Sequence, residues 1–258
     1  MSKSFLKTVL LSSFALWAVG TAQLSAAASN PLADTTVVLV HGAYADGSSW
    51  NKVIPLLRAQ GLKVVAVQNP LTSLADDVAA AQRVIDDQTG PVILVGHSWG
   101  GSVITQAGTS AKVKALVYVA ALAPSAGQST VQSTEGYPTP PGIKTVFADK
   151  SGYLYLPEAS VGVNFAQDLP AEDTKLMAVT QGPIRAAAFD DKITVTAWKD
   201  KPNYYVVAAQ DRMIDPPLQQ AFAKKLNAQT TVLQTSHVPM LSQPGKVADV
   251  IIAAAKKS

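Results

Sequence analysis

Short apolar, β-branched runs alternate along the chain with longer stretches of helical periodicity. Residues 35–40 (TTVVLV) are apolar without a break, the pattern of a strand covered on both faces. A loop rich in Gly, Ser and Asp follows (HGAYADGSS), and then a helical pattern, SSWNKVIPLLRAQG. In it Trp50, Val53, Ile54 and Leu57 share one face, Gly61 stops the run, and Pro55 fits best near the first turns. Residues 62–68 predict a second strand. After the turn NPLTS, Ser73 caps a helix running to Asp87, with Asp76 and Asp77 in the first turn where the helix dipole favours acids. Residues 91–95 (PVILV) predict a third buried strand, followed at once by GHSWGG and a helix over 102–109. Residues 114–120 predict a fourth strand. Near the C-terminus come a strand over 203–209, a helix capped by Asp215 and opened by Pro216 and Pro217, a strand over 230–235, and a helix over 245–257.

This rhythm predicts an α/β fold: a mostly parallel sheet with helices on both faces. It breaks between Pro124 and Trp198. That stretch begins with SAGQSTVQSTEGYPTPPG and then shows short helical patterns around DLPAEDTKLMAV. We read it as a cap inserted above the sheet, over about residues 124–198, within one domain spanning residues 29–258. A single α/β domain of this size is ordinary. No internal repeat or heptad run is present.

Composition narrows the class. Hydrophobic residues make up 48% and charged residues 15%, a globular balance. Residues 1–28 have the succession of a signal peptide: basic MSKSFLK, apolar TVLLSSFALWAVGTA, then small residues with Ala27 or Ala28 as the last removed. The rival reading is a retained anchor, for which the apolar run is short, since a span needs roughly 20 residues. Without a twin-Arg pair, the general secretory route is expected, placing the protein in the periplasm or the medium. Removing the segment, with Lys3 and Lys7 and no acid, lowers the net charge from +3 to about +1. No Lys/Arg run follows, so neither nucleic acid nor an anionic membrane is an expected partner, and no membrane span is expected in the mature chain. The chain has no cysteine, which excludes disulfides and thiolate chemistry.

The strongest chemical signal is Gly96-His97-Ser98-Trp99-Gly100, with Gly101 behind it. It matches the G-x-S-x-G turn, in which a serine nucleophile sits on strained backbone between a strand and a helix. A side chain at Gly96 or Gly100 would collide with the neighbouring elements. A serine needs a base, and the chain has three histidines. His41 and His97 precede Ser98. His237, after the last strand, satisfies the order serine, acid, histidine. The acid then belongs at a strand end between them. Asp211 follows a buried strand directly; Asp215, its competitor, reads better as a helix cap. The oxyanion donors are expected from the N–H of Trp99 and of the loop after the first strand, at Ala43, with Gly42 allowing close approach and His41 as a structural hydrogen-bonder. Tyr44, Trp99, Leu122, Met240, and Tyr153 or Tyr155 are candidates to line a substrate pocket. The histidines are already allotted, and no metal site is expected.

VLVHGAYADGSSWNKVIPLL, GHSWGG, AAQDRMIDP and SHVPMLSQP together resemble the α/β-hydrolase superfamily. Within it they are similar to the small branch of plant methyl esterases and hydroxynitrile lyases and its exported bacterial relatives. The resemblance covers residues from about Thr35 onward and is weakest in the cap. It implies a cofactor-free enzyme with the triad Ser98, Asp211 and His237. Hydroxynitrile lyases of the branch carry a lysine directly after the histidine and a hydroxyl residue in the oxyanion loop. This chain has Val238 and Ala43 there, which favours ester hydrolysis. The expected substrate is a small, neutral, largely apolar carboxylic ester, since no Arg or Lys cluster lies near the motifs. The alternatives are lyase, amidase or perhydrolase chemistry on the same triad, or an exported binding protein without catalysis.

Overall fold

The computed structural model describes residues 32–257. The segment expected to be a signal peptide, residues 1–28, lies outside the described residues.

Six parallel strands form the central sheet. In chain order, β1 is Thr36–Val40, β2 Lys63–Val67, β3 Val92–His97 and β4 Val113–Val119. After β4 comes a smaller antiparallel sheet of β5 (Phe147–Ala148), β6 (Tyr153–Tyr155) and β7 (Ile184–Arg185). The central sheet resumes with β8 (Asn203–Ala208) and β9 (Gln229–Leu233), in the spatial order β2-β1-β3-β4-β8-β9. The middle strands β1, β3 and β8 read as unbroken buried runs, and β4 is buried apart from Lys114, because helices cover both faces.

The helices are α1 (Ile54–Ala59), α2 (Leu74–Asp86), α3 (Gly100–Ala107), α4 (Glu158–Ser160), α5 (Ala171–Thr180), α6 (Pro216–Lys225), α7 (Pro239–Ser242) and α8 (Pro244–Lys256). α1 is shorter than its apolar pattern predicts. Pro55 occupies its second position, and Trp50 falls in a separate 3-10 turn, Gly47–Trp50, capped by Asp46. Ser73 caps α2 as expected, accepting from the Asp76 N–H at 3.0 Å.

The 124–198 stretch holds the small antiparallel sheet, α4 with the π-helical turn Val161–Phe165, and α5. Parallel strands send all their carboxyl ends to one edge of the sheet. Order also reverses there, since β1 lies between β2 and β3. Loops from β1, β3, β8 and β9 therefore meet above one edge, the ordinary ligand position of such sheets.

Candidate active site

The turn after β3 is strained as its sequence predicts. Ser98 has φ of +52°, left-handed backbone that a non-glycine residue adopts only when its surroundings compel it. The compulsion is visible. The Ser98 N–H donates to the Val119 carbonyl (3.2 Å), and its carbonyl accepts from Gly101 (2.9 Å) and Leu122 (3.1 Å). A Cβ at Gly96 would come 2.5 Å from the Gly100 carbonyl oxygen, and one at Gly42 2.8 Å from the Ser98 Cβ. Side chains at either place would push the serine out of position.

His237 follows β9. Its Nδ1 is 2.7 Å from Asp211 Oδ2, and both residues are buried. Asp211 follows β8 and takes three further donors: the Met213 N–H (2.7 Å), the Ile214 N–H (3.0 Å) and Gln219 Nε2 (2.7 Å). Gln219, wholly buried on α6, also donates to the Ile214 carbonyl (3.0 Å) and accepts the Ala208 N–H (2.9 Å), so it ties the acid to the end of β8. The pattern of the sequence does not single it out. One glutamine on a helix face next to apolar residues carries no chemical signature until its partners are known.

The loop of His237 is braced from three sides. His97 Nε2 donates to the His237 carbonyl at 2.8 Å. Complete burial holds the His97 imidazole well below the usual histidine range, so it is neutral. The Phe165 ring meets His237 edge-on at 5.2 Å, and Asp168 Oδ2 accepts the neighbouring Ser236 N–H at 2.8 Å. Both come from the 124–198 stretch.

His41 is buried and structural in its bonding. Its Nε2 accepts the Asn69 N–H (2.9 Å) and its Nδ1 donates to the Gly42 carbonyl (2.9 Å). The N–H groups of Ala43 and Trp99 find no acceptor among the described residues. The Trp99 indole donates to Asp77 Oδ2 at 2.7 Å, and the Leu71 N–H donates to Asp77 Oδ1 at 2.7 Å. Asp77 is therefore not the solvated first-turn acid its position suggests. It is fully buried, and burial pushes its carboxyl up to about 6 in spite of these two bonds.

Ser98, His237 and Ala43 all border one cavity of about 480 Å³. Tyr44 and Leu122 line it, together with Thr130, Val131, Leu154 and Phe189 from the 124–198 stretch and Met213, Ile214 and Leu218 from the β8–α6 region. The Ser98 hydroxyl makes no hydrogen bond to His237. Four expectations are corrected. Trp99 and Met240 have no exposed surface and do not border the cavity; both belong to the core. Tyr153 and Tyr155 do not line it either. Alternation along β6 places Leu154 there instead, and Tyr155 stacks on Phe147 at 5.7 Å. Asp215 stands at the N-cap position of α6, but its side chain caps nothing. Among the described residues, no group of His, Cys, Asp and Glu is arranged to hold a metal ion, and no helix is long and apolar enough to cross a membrane.

The sequence profile of the alpha/beta hydrolase family matches residues 37–250. The chain belongs to that family. Among curated relatives, a probable hydrolase R7 from a Phoma species is 27% identical, covering 83% of this chain and 96% of its own. Methylesterase 2 of Arabidopsis thaliana is 25% identical (84% and 95%), and an alpha-hydroxynitrile lyase of the same plant 26% (84% and 96%). These relatives support placing the chain in the methylesterase-like branch of the family. Among solved structures, polyneuridine aldehyde esterase superposes with a TM-score of 0.72 at 21% identity, covering 85% of this chain and 98% of its own. A pyrethroid hydrolase from Sphingobium faniae gives 0.73 at 21%, covering 86% and 97%. At that identity the structures speak for the fold.

Proposed function

We propose that the protein hydrolyses small carboxylic esters through Ser98, His237 and Asp211. The observation that carries the proposal is that Ser98, held in left-handed backbone, His237, whose Nδ1 is fixed by a buried carboxylate, and Ala43 border one cavity, while the N–H groups of Ala43 and of Trp99, next to Ser98, have no acceptor among the described residues. Asp211 fixes the tautomer, leaving Nε2 of His237 as the base. Ser98 Oγ attacks the acyl carbon as its proton passes to His237. The N–H groups of Ala43 and Trp99 hold the oxyanion. The alcohol departs with the proton from His237, and water, deprotonated by His237, then releases the acid and restores Ser98. Neither metal nor cofactor is needed for these steps.

The apolar cavity wall favours esters with apolar groups around the reacting carbonyl. Val238, next to His237, is buried and brings no cation to the site, which supports hydrolysis over cyanohydrin cleavage. We also propose that the protein works outside the cytoplasm, on the succession of basic, apolar and small residues over positions 1–28.

The test is a panel of esters with varied acyl and alcohol parts, run on chain lacking residues 1–28, beside a cyanohydrin, an anilide, and an ester with peroxide. Turnover highest with plain esters is expected. Turnover confined to another arm would replace the proposal with that chemistry.

A further inference from the structure

The cavity holds one charged side chain whose role the reaction does not explain. Asp215 borders it, half-buried, just before α6. An aspartate at such a position ordinarily accepts an N–H of the first helical turn. Here Pro216 and Pro217 remove two of those donors, and the carboxylate accepts none. Among the described residues it makes no ion pair or hydrogen bond. The nearest cation in sequence, Arg212, is exposed and donates instead to the Val163 carbonyl at 2.8 Å. No Lys, Arg or other acid borders the cavity among the described residues. The N-terminus of α6 supplies roughly half a positive charge, less than the full negative charge of the carboxylate. Tyr44, Tyr137 and Phe189 border the same cavity. A carboxylate and aromatic side chains in one cavity are the chemistry that receives an organic cation.

We infer that Asp215 selects substrates by charge, so that the cavity favours esters bearing an amine or ammonium group on the part seated against the N-terminus of α6 and rejects anionic ones. This rests on the ester-hydrolase reading and replaces the neutral ester expected from the sequence with a cationic one. Half-burial leaves the carboxylate partly screened, so discrimination is about five- to tenfold for each unit of charge and not orders of magnitude.

The experiment compares three butyrate esters: of choline, of 3,3-dimethylbutanol, which has the same shape without the charge, and of 3-sulfopropanol. A second set carries the same three groups on the acyl chain. In one of the two sets the wild type should rank the ammonium ester first and the anionic ester last by kcat/KM. Asp215→Asn should bring both ratios close to one, whatever happens to the absolute rates. No ranking in either set, or a ranking that survives Asp215→Asn, overturns the inference. If no ester is turned over, the ester reading fails by itself. The matching ketones, titrated calorimetrically into both proteins, then show the same ranking or refute it.

Discussion

The floor and the wall of the cavity are built on different terms. The floor, at the carboxyl edge of the sheet, is a set of polar groups held from several directions: Asp211 by four donors, His237 through its ring and its carbonyl, Ser98 through its backbone. The wall between β4 and β8 presents apolar side chains, Val131, Ile143, Leu154 and Phe189, on short elements, and some of those side chains remain well exposed. Bonding in the floor leaves its groups one geometry, as a reaction requires. Packing in the wall tolerates exchange, as a choice of substrate requires. Substitutions in the floor should therefore depress turnover of every substrate, and those in the wall should reorder substrates.

The largest contrast lies between two aspartates four residues apart. Asp211→Asn presents an amide where His237 Nδ1 needs a carboxylate, and kcat should fall by about 10³- to 10⁴-fold for every ester. Asp215→Asn should lose far less. Circular dichroism must show both folded, and the reverse order of damage would move the acid to Asp215. Next comes Gln219→Leu. It removes one donor from Asp211 and strands the Ala208 N–H, so it should cost roughly 1–3 kcal/mol in stability and about tenfold in kcat, on the order of one such bond. A fall in kcat with KM kept marks a positioning residue; an unchanged kcat in a folded variant would confine Gln219 to stability.

Asp77 gives a smaller, pH-dependent effect. Burial raises its carboxyl to about 6, against 3.8 for the free group. The folded state then holds the proton more tightly, so this group favours folding at low pH and loses that contribution as pH rises through about 6. Relative to Asp77→Asn, the wild type should be more stable at pH 4.5 than at pH 7.5 by about 2 kcal/mol, read from denaturant unfolding of both proteins. A difference independent of pH would contradict the assignment. The smallest effect belongs to the wall. Leu154→Ala enlarges the cavity and should shift the kcat/KM ratio of a bulky to a small ester upward about two- to tenfold. A uniform loss on both esters would erase the distinction between floor and wall.

The same contrast governs what could be read from the chain. Strands such as β1 and β3 were legible because burial on both faces writes an unbroken apolar run, and the turn at Ser98 because its glycines answer to backbone crowding within a few residues. Asp168 and the true surroundings of Asp77 were not legible, since their partners Ser236 and Trp99 lie far away in sequence; Gln219 was not either, because only the fold of the β8–α6 connection turns its amide onto Asp211. The wall misled for a subtler reason. Tyr153 and Tyr155 flank Leu154, and which of them meets the cavity depends on the orientation of a three-residue strand that no pattern so short reveals. Met240 lies three residues from His237, yet the short helix opened by Pro239 buries it in the core.

The central claim is that Ser98 alone is an activated nucleophile, and a fluorophosphonate tests it most directly. An ordinary serine hydroxyl does not react appreciably; one with a positioned base and an oxyanion site does. Intact mass and peptide mapping should show one adduct, on Ser98, nearly abolished in His237→Ala and absent from a folded Ser98→Ala, which should also lose ester turnover. An adduct on another serine, or full turnover by Ser98→Ala, would contradict the account.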